Sequence, residues 1–264
     1  NAADRLAQIT QNGQTLAQYQ YDPYGRRVSK TQNGLTTYHL YGPNGLTGEV
    51  NEKGEMTQAY IWRPNCQWCS DPVAQIQPKD KSLKEGQTYF IHTDHLQTPQ
   101  MATDEQGQLV WQAQAESFGK TQTSGSIQMP WRFPGQYADV ESGLHYNGFR
   151  TYNPQTGRYL ERDPLSIMAG VNVYAYVGGN SLNFMDPSGL ESVEYYLDEW
   201  ICSSPSWEEA FRKARKGKLI PGPDADKRTA AEHYIFARML RNDNTVGSYL
   251  FAATGLVWSN IYYT

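Results

Sequence analysis

The chain has 264 residues, enough to bury a core in one large or two modest domains, and its 23 basic and 27 acidic side chains leave a formal charge of −4. That balance excludes a dedicated nucleic-acid coat, and the 39% of hydrophobic residues, with 19 tyrosines and 23 glycines, excludes a disordered chain. Three cysteines, Cys66, Cys69 and Cys202, make neither a dense disulfide framework nor a four-ligand metal set.

Asn1 opens the chain where a methionine is absent, so a piece of a longer polypeptide is expected. Repetition is the first local signal: Tyr21-Asp22 to Gly25 recurs as Tyr41-Gly42 to Gly45 twenty residues on, and Gly34 recurs as Gly54 at the same interval. Residues 36–41 and 58–62 alternate apolar and polar with aromatic enrichment, the period of half-buried strands, and Asn33-Gly34 and Asn44-Gly45 carry tight-turn chemistry. The pattern predicts a meander of antiparallel hairpins in which each unit covers its neighbour's apolar face. The few units visible cannot close a shell and predict an open or capped end. Cys66-Gln-Trp-Cys69 is a lone CxxC without a second pair, read as reduced, incidental thiols against zinc or redox use. Residues 78–86, polar and Lys-rich, predict an exposed loop; 87–92 and 108–113 resume strand character, and the Gly/Ser/Thr-rich 121–126 predicts a second loop. His92, Asp94 and His95 have metal-ligand chemistry, but they flank a predicted turn and no distant ligand completes the set, so no metal is assigned.

Two Asp-Pro pairs follow, Asp163-Pro164 after Arg162 and Asp186-Pro187. Two carboxylates held together can hydrolyse an amide, one activating water and the other protonating the leaving group. The competing reading is a pair of turns, because Asp before Pro commonly caps its own backbone. Asp186-Pro187-Ser188-Gly189-Leu190 is also where the pattern changes, since from Glu191 onward apolar residues take helical spacing. Val193, Tyr196, Leu197, Trp200 and Ile201 form the stripe of a first helix. Ser206 caps a second helix with Glu208–Arg212 and Glu209–Lys213 pairs, closed by Gly217, and residues 226–241 make a third.

The stretches Tyr-Asp-Pro-Tyr-Gly-Arg (21–26), His-Thr-Asp-His-Leu-Gln-Thr-Pro (92–99), Phe-Pro-Gly-Gln-Tyr-Ala-Asp-Val-Glu-Ser-Gly-Leu-His-Tyr-Asn (133–147), Arg-Tyr-Leu-Glu-Arg-Asp-Pro (158–164) and Asp-Pro-Ser-Gly-Leu (186–190) resemble, in this order, the C-terminal end of Rhs/YD-repeat proteins. The resemblance covers residues 1–190 and stops there. It implies a mainly β fold, the end of a strand shell over residues 1–130 and a core-associated autoprotease segment over 131–190, followed by a toxin region over 191–264 that the helical spacing makes small and mainly α. It further implies a single intramolecular cut between Leu190 and Glu191 by an aspartyl dyad of Asp163 and Asp186, with no cofactor. Gly189 would let backbone approach the carboxylates, Pro187 would restrict the chain before the cut, and Arg162 and Arg158 are the candidate positioners. Implied partners are the rest of the shell, an immunity protein for the tail and a secretion-apparatus or adaptor/chaperone protein, in a secreted effector delivered to a target cell.

The resemblance says nothing about the tail, which is read unaided. Arg212, Lys213, Arg215, Lys216 and Lys218 read as a solvated helix face or as a contact for phosphates of nucleic acid or bilayer. Glu232 and His233 are the candidates for general base and orienter, against a packing role. Residues 246–264 carry no charge and read as a buried core element or as a membrane contact, which makes membrane disruption the first expectation for the toxin. The alternatives are a nuclease or other cytosolic enzyme, or a whole that is a non-cleaving structural or adhesion module.

Overall fold

A computed structural model describes residues 4–64, 69–164, 172–190 and 193–194. Among these, eleven strands form one antiparallel sheet in chain order: β1 (Gln8–Gln11), β2 (Gln14–Tyr21), β3 (Arg27–Gln32), β4 (Leu35–Gly42), β5 (Gly45–Val50), β6 (Met56–Trp62), β7 (Pro72–Lys79), β8 (Ser82–Thr93), β9 (Pro99–Thr103), β10 (Leu109–Ala115) and β11 (Thr121–Gly125). The turns explain why the strands simply follow one another. Asn12-Gly13 and Asn33-Gly34 have positive φ at both residues (53° and 78°, 52° and 77°), the requirement of a two-residue hairpin turn whose twist matches the strands.

The Tyr-Asp motif has a second, purely local meaning. Asp22 Oδ1 accepts from the Tyr24 and Arg26 amides at 3.0 and 2.9 Å, and Asn51, Asp94 and Asp104 repeat the geometry with the amides two and four residues on. The short polar side chain thus satisfies two amides that the reversing chain would leave unpaired.

Two segments expected as loops are strands. Residues 78–86 are the hairpin of β7 and β8, turned at Asp80-Lys81, both with positive φ. Residues 121–125 are β11, an edge strand paired with β10 from Trp111↔Gly125 to Ala115↔Thr121. Its side chains are small, polar and almost all exposed, so no alternation betrays it; the backbone ladder alone selects the conformation. Val193–Glu194, expected to begin a helix, instead forms β17 against β16 (Phe184–Met185). The helices expected over the rest of 191–241 lie outside the described residues.

A second sheet, β12 (Tyr137–Asp139), β13 (Leu144–Asn147), β14 (Arg150–Asn153) and β15 (Arg158–Tyr159), is held to the first by an aromatic core. Trp131 stands edge-on to Trp62, Tyr60 and Tyr137 at centroid distances of 4.6, 4.9 and 5.6 Å, the favoured geometry of ring pairs. Leu46, Ile91, Trp111 and Met129 complete that cluster, while Phe133, Tyr152, Tyr159, Tyr176 and Val177 form another beneath the second sheet. One buried ion pair ties the two sheets together: Arg27 Nη1 of β3 meets Asp139 Oδ2 of β12 at 2.6 Å, and the guanidinium stacks on Tyr146 at 4.4 Å.

Two histidines are buried in this joint. Burial, with Arg27 and Lys30 nearby, holds His39 well below its ordinary 6.5, and burial beside Arg132 brings His145 down to about 3. In the unfolded chain both titrate near 6.5, so below that pH the unfolded state binds more protons and stability falls as pH falls toward 3. The expected slope is about 1.4 kcal/mol per pH unit for each histidine, measured as the urea midpoint against pH. A midpoint unchanged on acidification through this window contradicts the assignment of both as neutral core groups.

Candidate functional site

The hairpin between β13 and β14 turns at Gly148-Phe149 and carries Asn147 before the turn and Arg150 after it. Against it lies the segment 186–190, so close that three glycines are required by contact. A Cβ on Gly135 would overlap the Pro187 carbonyl oxygen, one on Gly148 the Ser188 carbonyl oxygen, and one on Gly189 the Asn147 carbonyl oxygen. All three have positive φ (82°, 54° and 73°), which only glycine adopts without strain. The segment is then fixed by its backbone: the Phe149 amide donates to Ser188 O at 2.9 Å, and Asn147 Nδ2 to Asp186 O at 2.8 Å.

Arg150 is the centre of the site. Its Nη1 meets Asp163 Oδ2 at 2.8 Å, its Nη2 meets Asp186 Oδ2 at 3.0 Å, and its Nε donates to the Gly189 carbonyl at 2.5 Å. The guanidinium lies 3.7 Å from the Tyr159 ring centroid. One planar fork therefore gathers two carboxylates and a carbonyl one residue from the end of the segment, a task suited to guanidinium because its donors point in fixed directions. Both aspartates are nearly inaccessible, with exposures of 5% for Asp163 and 1% for Asp186.

Asp186 is bonded on both oxygens. Oδ1 accepts from the Gly189 and Leu190 amides at 2.8 and 3.0 Å, curling residues 186–190 into a loop about their own first side chain. Oδ2 accepts from the Tyr159 hydroxyl at 2.7 Å as well as from Arg150. Burial and the Asp186 charge hold that hydroxyl well above the usual tyrosine range, so it remains a donor. Asp163 arrives from the other side, its amide anchored on Val173 O at 2.9 Å.

Asp163 and Asp186 thus meet on a shared guanidinium, and Pro187 and Gly189 lie in the curled loop beside them. The arginine between the carboxylates is Arg150; the side chains of Arg158 and Arg162, expected as positioners, are exposed. Alternation accounts for this. Arg158 lies next to the buried Tyr159 in β15, and Arg162 lies between the buried Glu161 and Asp163, so each faces outward. Leu190 is half-buried at the end of the loop; its bond partner Glu191, the tail candidates Glu232 and His233, the uncharged stretch 246–264 and Cys66 all lie outside the described residues. Sequence reading missed Arg150, Asn147 and Tyr159. The signal available was Asn147-Gly148, a turn dipeptide, with Arg150 two residues beyond it.

The tempting polar sets elsewhere are occupied by structure. His92 Nε2 pairs with Thr103 Oγ1 and His95 Nε2 with Leu182 O, both at 3.0 Å, while Asp94 caps its turn. Cys69 is buried and its sulfur accepts from the Leu46 amide at 3.2 Å. Among the described residues no group of three or more His, Cys, Asp or Glu is placed to hold a metal, and no helix is long and apolar enough to cross a membrane.

Comparison with known proteins converges on one family. The model of the RHS protein family matches residues 88–124. Double-stranded DNA deaminase toxin A of Burkholderia cenocepacia is 32% identical over 76% of this chain and 16% of its own length. Toxin protein Tse5 of Pseudomonas aeruginosa is 33% identical over 72% of the chain and 17% of its own, and the probable deoxyribonuclease RhsB of Dickeya dadantii 33% over 80% and 14%. The chain thus spans about a sixth of the length of these curated relatives. The crystal structure of TcdB2-TccC3 without its hypervariable C-terminal region shares the fold, with a TM-score of 0.55 and 22% identity over 72% of this chain and 10% of that one. The chain belongs to the Rhs family.

Proposed function

We propose that the chain is the C-terminal part of an Rhs polymorphic toxin that cuts itself once, between Leu190 and Glu191, and so frees residues 191–264 from the shell. Residues 1–130 are then the last repeats, 131–190 the protease segment and 191–264 the toxin region. The observation that carries this reading is the Arg150 fork, which holds Asp163, Asp186 and the Gly189 carbonyl in one buried cluster at the boundary.

In the proposed step, water adds to the Leu190 carbonyl carbon as Asp163 takes its proton. The C–N bond breaks as the proton passes from Asp163 to the Glu191 nitrogen, and the remaining acid proton follows, so that the products are a Leu190 carboxylate and a Glu191 ammonium. Asp163 takes the base role because Asp186 is already an acceptor for four donors, which hold the loop in its curled form. Attack within one folded chain replaces a bimolecular encounter, which is worth orders of magnitude in rate. The product end stays tied by these bonds, so a second turnover has no vacant site.

For the passenger, an enzyme acting on nucleic acid is the reading favoured over membrane disruption, because relatives similar to this chain are named as a double-stranded DNA deaminase toxin and a probable deoxyribonuclease. Its partners would be an immunity protein and the rest of the shell, in an effector delivered to another cell. Asp163→Asn and Asp186→Asn are each expected to leave a single uncut polypeptide on a denaturing gel where the parent chain gives two; two bands from both variants refute the dyad. Expression of 191–264 alone then separates the passengers, since DNA or RNA damage marks an enzyme and dye leakage from vesicles marks a pore.

A further inference from the structure

Arg5 is the most N-terminal arginine of the chain, yet it reaches the turn that carries Arg150. Its Nη2 donates to Gly148 O at 2.5 Å across 143 residues of sequence. The guanidinium lies over Tyr21 at 4.4 Å and Phe149 at 5.9 Å. Gly25 is the floor beneath it, where an added Cβ would come within 3.0 Å of Arg5 Nη1. Arg5 is 9% exposed, so the contact is part of the interior. It is therefore wedged between the first Tyr-Asp turn and the Gly148-Phe149 turn.

That second turn touches the boundary segment through three of its residues. Asn147 holds the Asp186 carbonyl, Phe149 N holds Ser188 O, and Arg150 holds Gly189 O and both carboxylates. Gly148 O accepts instead from Arg5, a donor outside the second sheet that packs against the Tyr21-Asp22 turn. Tyr21, on which Arg5 stacks, also packs on Tyr146 beside Asn147, with ring centroids 6.4 Å apart.

We propose that Arg5 is a positioning residue that makes the cut conditional on the upstream repeat having docked. Until the first Tyr-Asp turn is in place the hairpin lacks its outer clamp, and Arg150 is free to drift from the carboxylates it must gather. Misplacement on the scale of an ångström costs a reaction of this kind on the order of a hundredfold. Self-cleavage then reports that these repeats have docked on the boundary hairpin, and a passenger is not cut while they are loose. The inference rests on the self-cleavage reading above.

The test is the rate of processing of the full chain in a pulse-chase cell-free synthesis, with cut and uncut bands quantified over time. Arg5→Ala is expected to slow the cut on the order of tenfold to a hundredfold, and Arg5→Lys, which keeps a donor for Gly148 O but not the stacking plane, to recover part of the rate. Stability is compared in a background that cannot cut, Asp163→Asn with and without Arg5→Ala, where equal thermal midpoints within a few degrees are expected. Parent rates for Arg5→Ala, a lysine variant as slow as the alanine one, or a collapse of the thermal midpoint that matches the lost rate overturns the clamp. Processing that persists in both Asp163→Asn and Asp186→Asn overturns the aspartyl self-cleavage reading instead, whatever Arg5 does.

Discussion

Arg150→Ala is expected to abolish processing and to cost the fold about 3–5 kcal/mol, the usual penalty when one partner of a buried ion pair is removed and the other stays. The size follows from what the side chain holds. Asp163 and Asp186 are both buried and both paired with this guanidinium, and both would be left without their cation. The Gly189 carbonyl would lose its donor at the same time. Arg150→Lys separates charge from geometry: a single ammonium restores a positive charge but cannot bridge two carboxylates and a carbonyl with fixed, divergent donors. It is expected to recover stability more than cleavage. The check is a denaturant titration beside a processing gel, and an Arg150→Ala chain that still gives two bands removes arginine from the chemistry altogether.

Gly135→Ala should have the second largest effect, for a reason that concerns one methyl group. The residue has φ of 82°, and a Cβ would overlap the Pro187 carbonyl oxygen, a backbone atom with nowhere to move while Asp186 and Gly189 are held on either side. The boundary loop must shift, and with it the bond after Leu190, so processing is expected to fall at least on the order of a hundredfold. Gly107→Ala is the matched control. Its φ of 76° imposes a similar backbone strain, about 1–2 kcal/mol, but nothing lies within 4 Å of its added Cβ, and processing should be unaffected. Equal rates in the two variants would show that the tight fit at Gly135 is irrelevant to the reaction.

The legible parts of the molecule were those with a local cause. Asn33-Gly34 specifies its hairpin turn because both positions need positive φ, and Asp22 specifies the Tyr-Asp turn because its carboxylate can bond the amides that follow. Alternation marked β4 and β6, whose two faces differ in burial. It could not mark β11, whose polar residues are nearly all exposed, nor the hairpin at Asp80-Lys81, which uses no Asn-Gly pair. The two aspartates stood out because each precedes a proline, but Arg158 and Arg162 were candidates only because they are near in sequence.

Residue types and local bonding alone determined the antiparallel meander, its tight turns and the curl that Asp186 imposes on 186–190. Tertiary structure decided which arginine stands between the carboxylates, since Arg150 is 13 residues before Asp163 and 36 before Asp186 and reaches both only after β13 and β14 pair and the loop packs on their turn. It also decided that three glycines, far apart in the chain, serve one contact. The physical reason is range: hydrogen bonding within a turn and side-chain alternation act over a few residues, whereas the convergence of charges on one guanidinium is set by the packing of two sheets around an aromatic core.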